Sequence, residues 1–105
     1  MSRKLFAVLG IATVMIAAPA VVAAPDGGAL YKAKCASCHG ADGGGMTAMG
    51  KAMKLRDLRS PEVKKLTDAE LTKETAEGKG KMPAYKGKLT DAEISALVAH
   101  IRTLK

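Results

Sequence analysis

The sequence predicts an all-α domain of three main helices, a short one and long loops. Three observations carry that expectation. No segment alternates apolar and polar residues in the manner of a strand. Two Thr-Asp-Ala-Glu runs, Thr67–Glu70 and Thr90–Glu93, are capping boxes that open helices. Behind the second, Ile94, Leu97, Val98, Ile101 and Leu104 recur at helical spacing and form one apolar stripe.

The first part of the chain stands apart. Ser2-Arg3-Lys4 is positively charged, while Leu5 to Ala24 carries no charge and ends in small residues. That is the layout of a secretory signal peptide, so residues 1–24 are expected to be removed and residues 25–105 to form the working domain. Cleavage fits after Ala20, Ala23 or Ala24, the last being least favoured because Pro25 follows it. The alternative is an uncleaved anchor, since a bilayer needs roughly 20 apolar residues. Pro19 and the small-residue end favour removal.

The working domain then reads in order. Asp26 is an N-cap for a helix running to Cys35. Gly40 and Gly43-Gly44-Gly45 break it, and residues 41–58 form a long loop with a short helix near Met49–Lys54. Such a loop belongs in a compact domain when it packs on something. Ser60-Pro61-Glu62 places an N-cap before a proline at N1 and starts a short helix near 61–65. The first capping box opens a helix to about Glu77, with Gly78 just past its end. Thr72 and Thr75 occupy positions where apolar residues are expected, so its buried face is narrow. The second box opens the last helix, which runs to about Leu104.

Composition bounds what this domain can be. A chain of 105 residues suggests one domain, and removal of the leader leaves one with a thin core. Small domains usually need a staple. Two cysteines three positions apart exclude a disulfide framework, tryptophan is absent, and Tyr31 and Tyr85 are the aromatic residues beyond the leader. Something other than side chains must fill the centre. The net charge of +7 falls by two when Arg3 and Lys4 leave. A basic surface suits nucleic acid, anionic membrane or acidic proteins, and export argues against the first.

Cys35-Ala36-Ser37-Cys38-His39 states what fills the centre. C-x-x-C-H is the attachment pattern of a c-type haem. Residues at i, i+3 and i+4 share a helix face, so one turn presents both thiols and the imidazole to one ring. A zinc site needs four ligands, and His39 and His100 are the only histidines. A thioredoxin-like pair accompanies a βαβ pattern, which is missing. Haem attachment accounts for the adjacent histidine, the export signal and the sparse aromatic content together. His39 then supplies the proximal iron ligand. Met82 is the candidate for the sixth position, in the glycine-rich run Gly78-Lys79-Gly80-Lys81-Met82-Pro83. Its thioether favours ferrous iron and raises the potential. Met46, Met49 and Met53 follow His39 closely and are expected to pack along one ring edge as fillers.

The chain resembles a small bacterial class I cytochrome c, monohaem and His/Met ligated. The resemblance spans essentially all of residues 25–105. It rests on Gly27 and Tyr31, on Cys35-x-x-Cys38-His39-Gly40, on Met82-Pro83-x-Tyr85 and on Leu97 to Arg102. It implies a cytochrome c-like fold wrapped around one covalent haem c, with the first and last helices crossing beside it. Gly27 would allow their close approach, and Tyr31 and Leu97 would pack there. Two departures stand out. His100 occupies a position that is usually aromatic. Residues 46–54 also lack the proline whose carbonyl orients the proximal imidazole in many relatives, so another backbone carbonyl is expected to accept from that ring.

These readings imply an electron carrier and no enzyme, periplasmic or otherwise exported. It would be monomeric, and membrane-associated only if the leader stays. The alternative is a haem peroxidase, or a gas or redox sensor, in which Met82 dissociates. Lys32, Lys34, Lys79, Lys81, Lys86 and Lys88 flank the attachment helix and the Met82 loop, which suits redox-partner proteins with acidic docking surfaces.

Overall fold

Helix starts in this chain are set by side chains that satisfy the free amides of a first turn. The computed structural model describes residues 7–17 and 24–105, and five of its six described helices begin where those caps stand. Asp26 accepts from the Ala29 amide at 3.1 Å and opens α1, Gly27–Lys34. Cys35 interrupts the helix, and α2 follows at Ala36–His39. Thr47 caps α3, Ala48–Ala52, and Ser60 caps α4, Pro61–Lys64, with the proline in the first turn. Thr67 caps α5, Asp68–Glu77, and Thr90 caps α6, Asp91–Thr103. The three longest are α1, α5 and α6, as the sequence predicts. Among the described residues there are isolated bridges at Lys79–Met82 and Lys86–Leu89 but no named strand.

The two capping boxes differ. At Thr90 the exchange is reciprocal: its hydroxyl accepts from the Glu93 amide, and the Glu93 carboxylate accepts from the Thr90 amide. At Thr67 the hydroxyl accepts from the Glu70 amide and donates to the Glu70 carboxylate, so that carboxylate does not return to the cap amide. The same four residue types thus make a full box at one site and half of one at the other.

Six apolar side chains are buried among the described residues: Tyr31, Val63, Leu71, Ile94, Leu97 and Val98. Three of them form one cluster. Val63, Leu71 and Val98 join α4, α5 and α6, with Leu58 and Leu66 against them. Ile94 and Leu97 are buried on α6, and Tyr31 of α1 meets that helix where the Tyr31 and His100 rings sit 5.0 Å apart. That crossing depends on Gly27. A Cβ there would overlap the Ala96 carbonyl, so only hydrogen lets the two backbones approach this closely. Thr75 is buried on the narrow inner face of α5 and returns its hydroxyl to the Leu71 carbonyl at 2.8 Å.

Residues 7–17 carry no regular structure and are exposed. The expected leader, residues 1–24, falls partly outside the described residues, and the cleavage points at Ala20 and Ala23 lie there entirely. No described helix is long and apolar enough to cross a membrane.

Candidate functional site

The attachment turn is fastened from both sides. Tyr31 on α1 donates its phenol to the Gly40 carbonyl at 2.7 Å, bracing the far end of α2. Thr47, the cap of α3, donates its hydroxyl to the Cys38 carbonyl at 2.6 Å and accepts from the Gly50 amide. The Gly45 amide donates to the His39 carbonyl at 2.7 Å. The glycine run that ends the helix thereby folds back onto the turn. Thr47 escaped sequence reasoning; its position two residues after a glycine run and before a helical segment was the available signal.

Cys35 and Cys38 are free thiols and half-buried. Burial, and then the neighbouring Cys38, push the Cys35 thiol up to about 11, so it stays protonated at neutral pH. Burial and then the nearby Arg56 guanidinium push the His39 imidazole below its ordinary value. A neutral imidazole is the form that coordinates metal. Burial is also the first cause holding the Tyr31 phenol up at about 12, ahead of Cys35 and Asp42.

The expected backbone acceptor for His39 is not in place. Its Nδ1 is buried and pairs with no group among the described residues. The cause is local. Residues 48–52 coil into α3, and the carbonyls of Thr47, Met49, Gly50 and Lys51 accept amides from the same segment. Met46 and Met49 are 68% and 53% exposed, so they do not belong to the protein's own apolar core, and Met53 is half-buried. Met46 precedes the cap of a five-residue helix and Met49 lies in its first turn, too short an element to bury both.

Met82 is half-buried in a turn closed on itself. The Met82 amide donates to the Lys79 carbonyl at 3.0 Å, and the Lys79 amide donates back to the Met82 carbonyl at 3.3 Å. The loop leaves α5 through Gly78, whose φ of 76° is one that side chains disfavour. It returns when the Tyr85 and Lys86 amides donate to the Thr75 and Ala76 carbonyls at 3.2 and 3.0 Å. The Tyr85 phenol reaches the Lys34 carbonyl at 3.1 Å, so the loop is tied to the end of α1.

The residues present fit a covalent haem. Two free half-buried thiols and a neutral imidazole lie on one turn beside a thioether-bearing loop. Among the described residues six apolar side chains are buried, a thin core in keeping with a domain this small. Fold and site together define a small helical haem-binding protein of the c type.

Comparison with known proteins places it further. Residues 22–101 match the family described as cytochrome c oxidase, cbb3-type, subunit III. A cytochrome c6 of Leptolyngbya boryana is 36% identical over 78 residues, covering 74% of this chain and 88% of that protein. A cytochrome c6 of a Nostoc species is 34% identical over 105 residues, covering 94% and 91%. The solved structure of the KustC0563 c-type cytochrome superposes with a TM-score of 0.70 at 35% identity, covering 76% of this chain and 98% of that one. The chain belongs to this cytochrome c family and is a small class I monohaem cytochrome c. It carries one covalently bound haem c and acts as an electron carrier.

Proposed function

We propose that Cys35 and Cys38 hold the haem through thioether bonds, and that His39 and Met82 are its axial ligands. Bound in this way, the haem supplies a one-electron ferric–ferrous couple. The chain's part is to place and keep the ligands. The α2 turn puts both sulfurs and the imidazole on one face, and Tyr31 and Thr47 hold that turn from either side. Depressed protonation keeps the His39 imidazole available for coordination at neutral pH. The neutral thioether favours the ferrous state. The double pairing of Lys79 with Met82 holds the thioether in a defined loop.

With both axial positions taken by the chain there is no open site for oxygen or peroxide, which supports a carrier and no enzyme activity of its own. The observation that carries this reading is the attachment turn itself: two cysteines and an imidazole within five consecutive residues, braced by Tyr31 and Thr47. We further propose that residues 1–24 are an export signal, that residues 25–105 are the working domain, and that the protein works as a monomer in the periplasm or another exported location. The six lysines at 32, 34, 79, 81, 86 and 88 are all exposed, which supports docking to acidic redox partners.

The ferric spectrum tests the ligand assignment. The weak far-red charge-transfer band of a methionine–iron bond is expected in the wild type and absent in Met82→Ala. A wild type with high-spin iron and no such band would overturn the carrier arrangement.

A further inference from the structure

The Met82 loop is held at its exit by backbone bonds to α5, but at its entry a side chain takes part. Glu74, on the last turns of α5, pairs with Lys79 Nζ at 3.4 Å through one carboxylate oxygen. Through the other it pairs with Arg56 at 3.1 Å. Arg56 lies in the segment between α3 and α4, on the side of the attachment turn, where its charge bears on His39. Lys79 is the residue whose amide and carbonyl both pair with Met82. A single carboxylate therefore bridges the loop following the proximal ligand to the turn that carries the distal one. The Glu74 side chain is 29% exposed, more enclosed than either cation, so the pair is less screened than an open surface contact.

We infer that Glu74 is a positioning residue that latches the Met82 turn, and so sets how often the distal thioether leaves the iron. It acts through Lys79 and touches neither ligand. When the Glu74–Lys79 pair opens, the entry keeps the Gly78 amide bond to the Glu74 carbonyl and the two bonds within the turn, and no side chain holds residues 79–82 to α5, while the exit remains fastened to Thr75, Ala76 and Lys34. The loop then swings about its fixed exit, and the turn bearing Met82 is the part that moves. Arg56 holds the carboxylate oriented toward the loop. This inference rests on the proposed Met82 ligation.

The test is the rate at which exogenous imidazole enters the ferric haem protein, since entry requires Met82 to leave. Glu74→Gln keeps the size and helix propensity of the side chain and removes its charge. It is expected to speed entry about two- to fivefold, the range an ion pair of this exposure supports. The amide protons of Lys79 and Met82 are expected to exchange faster by a similar factor. Lys79→Gln should reproduce both changes. Glu77→Gln, on the same helix and without an ion pair among the described residues, should change neither. Added salt should bring the wild type toward the Glu74→Gln rate. Wild-type entry and exchange rates in Glu74→Gln, with the far-red band present, would overturn the latch alone. Absence of the far-red band in the wild type would overturn the ligation and the latch with it.

Discussion

The Tyr85 phenol donates to the Lys34 carbonyl at 3.1 Å, joining residues 51 positions apart in the chain. Lys34 ends α1, where carbonyls lack an intrahelical partner, and Tyr85 lies three residues past Met82. One bond therefore satisfies a helix end and fastens the distal loop to the helix that leads into the attachment turn. Tyr85→Phe keeps the ring and removes the bond. It is expected to cost about 0.5–1.5 kcal/mol in denaturant unfolding, with unchanged helix content. An unchanged unfolding midpoint would show that the loop does not depend on this tie.

Gly27→Ala tests the α1–α6 crossing. The added Cβ meets the Ala96 carbonyl, which is helix backbone and has little room to yield. Overpacking of this kind costs about 1–3 kcal/mol. In a domain this small each kcal/mol lowers the melting temperature by about 4–8 °C. A calorimetric melting temperature equal to that of the wild type would contradict the close approach.

Gly78→Ala tests the loop entry. At φ 76° a Cβ would stand 2.5 Å from the Met82 carbonyl and 3.0 Å from the Ala84 amide nitrogen. Backbone strain in such a region costs about 1–3 kcal/mol, and the overlap pushes on the residue that carries the thioether. The expected outcome is a weaker far-red band together with a lower melting temperature. Loss of stability with the band at full strength would separate the fold from the ligand.

Alkaline pH tests the burial of Tyr31. Its folded value of about 12 exceeds the ordinary 10.0, chiefly through burial. A raised value means that the fold retains the proton longer than the unfolded chain does. The Tyr31 contribution is thus intact below about pH 10 and is lost as pH rises toward 12. Unfolding free energies measured across that window should fall in the wild type and fall less in Tyr31→Phe. Because burial outranks the Cys35 charge among the causes, the trend should survive conversion of Cys35 to a thioether. Equal slopes in both proteins would remove Tyr31 as the source.

Much of the site was legible in the chain because its chemistry is local. Asp26, Ser60, Thr67 and Thr90 each act on the amide three residues ahead, and the attachment motif needs only one turn of helix. Helix positions followed from these within a residue or two, apart from the break at Cys35. The failures came where a residue's role depends on what another segment does. The missing proline suggested a substitute carbonyl for His39, but the segment coiled into α3 and used its carbonyls internally. The two capping boxes looked alike, and only one closed fully.

What the sequence determined by itself was therefore the list of parts: helices, caps, two thiols, an imidazole and a thioether loop. Short-range hydrogen bonds and helical spacing specify such parts without reference to the rest of the fold. Tertiary structure alone decided how the parts meet. Glu74 meets Arg56 across 18 positions, and Tyr85 finds Lys34 across 51, because the packed fold closes those long loops. Loop closure carries no sequence signature at either end, since any carbonyl and any carboxylate can serve once the chain brings it there.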